Sequence, residues 1–434
     1  MSRIALPSLG PYLLAIAIDA MGFGLVYPMM SAIFGDPHAG VLSPAAGPVL
    51  RNFYLGLGYG IYPLCMFFGS SLMGELSDAF GRRKIMLLCV LGLAVSYGLM
   101  ACGAWWQSVM LLLLGRGLSG LMAGCQGIAQ AAIADLSTPQ NKAHNMSIMS
   151  LAFSAGVIVG PVLGGVTSDR TLSPFFGYGT PFVLVSALSL LCGIWTALAC
   201  EETGGSAEAR RIDVWLPLRV VAQAALHRRI AVLSGVFFLM QVGYGLYLQT
   251  IMLLLQTQFH YRSMQLGLFS GLIGVCFVLG LLFVVRIMLR FYSTIAIAKT
   301  GLLIAGVCEV LSALYPRESV LWGLATLIGC FDMVAYTTMY TAFSDAVSAD
   351  RQGWALGVAG SVMALAWVAT GLLNNLLPVL GESMGESAGE RGLLLVGGCA
   401  FLLSFVVLAV YSRGSRGVLD VPVSCGLRSE ASDS

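Results

Sequence analysis

Hydrophobic residues along this chain gather into long runs separated by short polar breaks. The runs show neither the strict alternation of a half-buried strand nor the single apolar stripe of a soluble helix. They fall at about 9–34, 52–74, 85–104, 108–132, 145–168 and 177–200, and resume after a longer hydrophilic stretch at about 230–256, 265–288, 294–314, 319–343, 353–377 and 392–412. Each approaches or exceeds the roughly 20 residues that a helix needs to cross a bilayer. The pattern predicts an all-α integral membrane protein with about twelve transmembrane helices. They divide into an N-terminal six-helix bundle over 1–200, a cytoplasmic linker over 201–229, a C-terminal six-helix bundle over 230–412 and a cytoplasmic tail over 413–434. A membrane β-barrel is excluded, because its strands alternate polar and apolar residues.

Composition supports lipid as the solvent. Only 10% of the 434 residues are charged and 58% are hydrophobic, whereas soluble domains carry about 25% charged residues. The first apolar run is too long, and too clearly interrupted by Asp19, for a cleavable signal. A net charge of +2 leaves no basic stripe for nucleic acid. The eleven cysteines are scattered singly and histidines number four, so neither a metal site nor a bound cofactor is expected. With no HExxH and no G-x-x-x-x-G-K-[ST] loop, the chain does not read as an enzyme. Of 23 Lys and Arg, 17 lie in segments that are cytoplasmic if both termini are, five in external ones, and Arg116 within a span. That bias orients the chain with both termini inside, in the plasma membrane, which is the inner membrane in a bacterium.

Embedded polar residues mark the candidate chemistry, since an ionisable group at the midplane is costly and faces the bundle interior. Asp19 lies in the first span, Arg116 in the fourth, Glu309 in the ninth and Asp332 in the tenth. On a continuous fourth helix, Arg116, Ser119, Gln126 and Gln130 fall within about 80° of one another. Ala134-Asp135 at the end of that span matches Ser344-Asp345 at the end of the tenth, 210 residues later. This weak repeat places Asp332, Tyr336 and Tyr340 opposite Met122, Gln126 and Gln130, lining a shared cavity from the second half. Gln241 and Tyr244 are further cavity candidates. Asp19 and Arg116 are expected to pair, directly or through water, and Glu309 either handles protons, finds a structural partner or snorkels to the outer interface.

Two motifs add specificity. Gly74-Glu75-Leu76-Ser77-Asp78-Ala79-Phe80-Gly81-Arg82-Arg83-Lys84 joins the second and third spans. Gly74 suits a close helix approach and Gly81 a tight turn, while Asp78 can cap a helix or pair with Arg82 and Arg83. In the fifth span, Gly156, Gly160, Pro161, Gly164 and Gly165 form G-x-x-x-G-P-x-x-G-G. Small residues at this spacing let helix backbones touch, and the proline bends the helix.

The loop between spans two and three resembles the signature loop of the major facilitator superfamily, where it latches the cytoplasmic side of the outward-facing state. The glycine pattern of span five resembles the antiporter motif of drug:proton exchangers in that superfamily. The run Asp19 to Pro28 and the run Gly115 to Gly120 are similar to the first and fourth helices of tetracycline:proton antiporters. Two positions depart from them: Ser96 stands before Tyr97 where those antiporters carry a substrate-contacting aspartate, and span eight lacks their histidine. The resemblance implies two six-helix halves rocking about a central site, with Asp19 and Arg116 as the polar centre of the first. It implies a monomer that exports a small organic molecule, such as a drug or siderophore, driven by the proton gradient. The alternative is proton-coupled import of a small nutrient such as an amino acid.

Overall fold

The computed structural model describes residues 6–35, 39–138, 140–202, 213–348, 351–376 and 386–414. Positions 203–212 of the linker and the tail from 415 onward lie outside them. Among the described residues, twelve helical segments are long and apolar enough to span a membrane. The chain clusters into two compact units: residues 1–216 with 255–271, and residues 217–254 with 272–434.

The first unit is built from α1 (Leu6–Gly35), α2 (Pro48–Phe80), α3 (Arg82–Trp105), α4 (Val109–Leu121), α5 (Cys125–Leu136), α6 (Lys142–Ser168) and α7 (Thr180–Ala199). Helix α1 is the enclosed one, with 78% of its apolar stretch buried against 33% for α7. Proline at the first position of α2, after Gly47 in an extended conformation, starts that helix where a missing N–H costs nothing. The fourth span is not one continuous helix. Met122–Gly124 interrupt it between α4 and α5, so the single helical wheel drawn through Arg116 and Gln130 does not hold. Glycines fix the break against α2: a Cβ at Gly120 would strike the Tyr62 carbonyl, and one at Gly124 the Met73 side chain.

The short helix α8 (Leu216–Leu226) leads into α9 (Arg228–Phe259), which begins in the second unit. There follow α10 (Ser263–Leu279), a π-helical turn at Gly280–Val284, α11 (Val285–Met288), α12 (Thr294–Leu314), α13 (Glu318–Asp345), α14 (Gln352–Leu373) and α15 (Glu386–Gly414). In this unit α12 lies between α13 and α15. Gly301 takes the Phe331 carbonyl and Ala335 on one side, and Gly306 takes Phe401 and Leu402 on the other. The π-turn starts where Gly280 meets the Cys330 carbonyl of α13, a close approach for which a π-bulge re-registers the helix.

Candidate functional site

Arg116 is the centre of the first unit. It is 1% exposed, and among the described residues no carboxylate pairs with it. Its Nε donates to the Gly58 carbonyl at 3.4 Å, its guanidinium carbon lies 4.2 Å from the centroid of the Tyr62 ring, and its buried NH1 nitrogen has no hydrogen-bond partner among the described residues. Tyr27, Tyr59 and Tyr97 are its other electrostatic neighbours. Tyr27 and Tyr59 stack at 5.3 Å, and the Tyr59 hydroxyl donates to the Tyr27 carbonyl at 3.0 Å. The Tyr62 ring face lies over the cation, an attraction that strengthens where water is excluded, and Tyr27, Tyr59 and Tyr97 of α1, α2 and α3 complete its tyrosine surroundings.

Asp19 is also buried, at 8% exposure. The expected direct pair with Arg116 is not made: no ion pair joins them among the described residues. Instead both charges act on the same two phenols, Tyr62 and Tyr97. The Tyr97 hydroxyl sits where a side chain at Gly22, three residues past Asp19, would be. The arginine meets one ring face and one carbonyl, its buried NH1 nitrogen is unpartnered among the described residues, and the acid is not ion-paired to it. Ser96, beside Tyr97, donates its hydroxyl to the Gly92 carbonyl at 2.6 Å within its own helix.

The helix carrying Asp19 is clamped by α6. A Cβ at Gly156 would strike the Ala17 carbonyl, one at Gly160 the Met21 carbonyl, and Gly164 faces Leu25. Three glycines four residues apart make one groove, and α1 lies in it with Asp19 between the first two contacts. Pro161 packs on Gly24, and Gly165 turns the opposite way, to Ser263 and Gly267 of α10.

At the junction of α2 and α3, Gly81 has φ +104°, which a side chain would strain. Asp78 pairs with Arg82 at 2.9 Å, and Arg82 reaches Asp135 at the end of α5 at 2.5 Å. Arg83 donates to the Ala197 carbonyl, and its backbone N–H to Glu202. The motif therefore ties α2 and α3 to α5 and to the end of α7. The close approach expected at Gly74 is absent, because its Cβ position faces open space.

Among the described residues, the second unit holds buried acids and no buried base. Asp332 is 3% exposed, and one carboxyl oxygen has no partner among the described residues. One and two turns along α13, Tyr336 and Tyr340 lie 4.7 Å apart, and Phe237 of α9 packs on both. Glu309 is fully buried, with neither carboxyl oxygen hydrogen-bonded among the described residues. It does not snorkel: its carboxyl occupies the notch left by Gly397 of α15, beside the Gly243 carbonyl, and Tyr247 is an electrostatic neighbour. Gln241 is buried with its carbonyl oxygen unpartnered among the described residues, and Tyr244 packs on Phe277 and Trp367. In the first unit Gln126 is half-buried and Gln130 exposed. No group of three metal-ligating side chains occurs among the described residues.

The family model of the Major Facilitator Superfamily matches residues 12–371. The chain belongs to the major facilitator superfamily. It is 27% identical over 271 residues to the class C tetracycline resistance protein of Escherichia coli, covering 62% of this chain and 64% of that protein. With the class G protein of Vibrio anguillarum the identity is 31%, covering 53% and 54%. The chain therefore aligns with less than two thirds of the length of these relatives. The major facilitator superfamily domain-containing protein 10 of Bos taurus matches at 25% identity over 93% of this chain and 92% of its own. Among solved structures, the human organic anion transporter MFSD10 superposes with a TM-score of 0.64 at 22% identity, over 93% of this chain and 99% of that one. A D-xylose-proton symporter superposes at 0.68 with 13% identity, over 92% and 97%. The superfamily is one of multi-pass membrane transporters, and the twelve helical segments long and apolar enough to span a membrane fit it among the described residues.

Within this superfamily fold, the tyrosine cage is what the residue pattern alone does not reveal. Tyr59 and Tyr62 stand three residues apart on one face of α2, a spacing that signals a shared face. Tyr27 and Tyr97 come from other helices, and no periodicity connects them to Arg116.

Proposed function

We propose that this chain is a proton-coupled exporter of a small organic molecule, working by alternating access as a monomer in the plasma membrane, with both termini cytoplasmic. The observation that carries the proposal is the clamp of α6 on α1, in which glycines 156 and 160 bring backbone against backbone on either side of Asp19. A titratable acid on a rigidly held helix, near a caged cation that it does not touch, can change protonation without breaking an ion pair. Asp19 takes the proton, and it shares Tyr62 and Tyr97 with Arg116 as electrostatic neighbours. One charge moved through 100 mV supplies about 2.3 kcal/mol per cycle, enough to drive a concentration ratio of roughly 50. Asp332 and Glu309 are secondary proton-binding groups. Gln126, Gln130, Gln241, Tyr244, Tyr336 and Tyr340 contact the substrate, and the motif around Gly81 closes the cytoplasmic side.

The relatives named for tetracycline resistance and for organic anion transport support an organic substrate. Because Ser96 stands in place of their aspartate and its hydroxyl is used by its own helix, the substrate differs from tetracycline. A thermal-shift panel of antibiotics, siderophores and amino acids on the purified protein identifies a ligand, since binding to the native state raises its stability. Inverted membrane vesicles with an acidified interior then test direction. An exporter accumulates that ligand inside them, whereas a proton-coupled importer releases it.

A further inference from the structure

The segment between α7 and α9 carries an apolar face that protein does not cover. Helix α8 packs on the molecule through Pro217 and Ala224, which are buried. Leu218, Ala222, Ala225 and Leu226 are exposed, and at 100° per residue they fall within about 100° of one another. Arg219 and Gln223, also exposed, come next around the axis. The order around α8 is therefore a buried face, an exposed apolar stripe and a polar strip. Leu218 is 42% exposed and Leu226 84%. A surface helix in water turns polar residues outward wherever protein leaves it bare, and an apolar stripe with a polar rim marks an interaction surface.

Contacts just before α8 give its depth along α2. The Asp213 N–H donates to the Glu75 carboxylate at 2.8 Å, just past the apolar run 52–74 of that helix. Two residues on, the Trp215 ring meets the Phe68 ring edge-on, with centroids 6.4 Å apart. Phe68 precedes Glu75 by seven residues, a rise of about 10 Å, and lies inside the apolar run. The chain thus passes from the polar end of a membrane span to a level within it, where Trp215 is 61% exposed. Tryptophan is enriched at that level, because its ring is apolar and its N–H polar. The depth also matches the roughly 5–10 Å to which an interfacial helix sinks its apolar face.

We propose that Trp215 and α8 lie in the boundary between the headgroups and acyl chains of a phospholipid bilayer. Trp215, Leu218, Ala222 and Leu226 enter the lipid, and Arg219 stays at the level of the phosphates. Arg228 and Arg229, directly after the helix, add charge of the sign that anionic lipid attracts. The element anchors the connection between two spans to the membrane surface. It is separate from Asp19 and Arg116 and does not depend on transport direction or proton coupling.

The test uses the full chain in nanodiscs of phosphatidylcholine and phosphatidylglycerol. Leu218→Cys, Ala222→Cys and Gln223→Cys variants are each labelled with an environment-sensitive thiol fluorophore, and the signal of the unsubstituted chain treated in the same way is subtracted. Each label is quenched from the lipid by a nitroxide-bearing phosphatidylcholine and from the water by iodide. The ratio of lipid to iodide quenching should be several-fold higher at 218 and 222 than at 223. All three positions are exposed, so the fold tolerates the labels, and the second stripe position guards against a local distortion at the first. Trp215→Ser with Leu226→Ser, which removes the two most exposed groups of the stripe, should lower the ratio at 222 several-fold. Iodide quenching at 218 and 222 as strong as at 223 would put the stripe in water and overturn the proposal. Protection of both positions from either quencher would also overturn it and assign the face to protein, whether residues 203–212 or a second copy of the chain. No transport is measured, so a failure here is distinct from a failure of the exporter assignment.

Discussion

Arg116 in the first unit is the single buried basic residue among the described residues, whereas the second unit buries Glu309, Asp332 and Glu390 and no base. The two polar centres thus solve the cost of charge in a dry interior differently. The first sets the Tyr62 ring face over a cation, with three more tyrosines nearby, and buries Asp19 without an ion pair to it among the described residues. The second leaves carboxyl oxygens of Asp332 and Glu309 without a hydrogen-bond partner among the described residues, a cost for any buried polar group. The contrast separates two roles that a list of embedded acids merges. Asp19 lies in a unit that also buries a cation, whereas Asp332 and Glu309 lie in one that buries none among the described residues.

The sharpest way to break this contrast is to move the helix that carries Asp19. Gly160→Val places a side chain on the Met21 carbonyl; overpacking of this kind costs about 1–3 kcal/mol or more. Thermal unfolding should show a lower midpoint and little transport should survive. Next, Gly397→Ala puts a methyl group where the Glu309 carboxyl lies. The expected loss is about 1–2 kcal/mol, and Glu309→Ala in the same chain should recover at least half of it. Independent, additive losses would show that the notch does not hold the glutamate. A smaller change is expected of Asp332→Asn: the fold should persist, and gradient-driven transport should weaken several-fold. Wild-type transport in that variant would make Asp332 a structural acid. The least effect belongs to Gly74→Ala. The position is helical and faces open space, so helix propensity should stabilise the protein by about 0.5–1 kcal/mol.

Much of this architecture is legible in the amino-acid sequence, for physical reasons that differ by element. The spans can be located because lipid demands some twenty apolar residues in a row, and the turn at Gly81 because a positive φ favours glycine. The groove of α6 is readable as glycines four residues apart, since one helix carries the whole pattern. What is not legible requires several helices at once. A pair of Asp19 and Arg116 follows from the cost of each charge alone, yet the tyrosines around the arginine come from α1, α2 and α3. Likewise a continuous wheel through span four ignores the pull of Gly120 and Gly124 toward α2. Gly74 suggests a contact because it sits in a motif, yet its surroundings are empty.

The most direct measurement of the central claim, that Asp19 carries the coupling proton beside a cation it does not touch, is transport by Asp19→Asn in proteoliposomes once a substrate is in hand. With a pH gradient and no substrate gradient, the variant should fail to concentrate substrate, while substrate exchange without a pH gradient stays within about twofold of wild type and the melting temperature is nearly unchanged. If Asp19→Asn still concentrates substrate against its gradient, or if it loses exchange and folding together, Asp19 is a structural residue and the proton travels by another carboxyl.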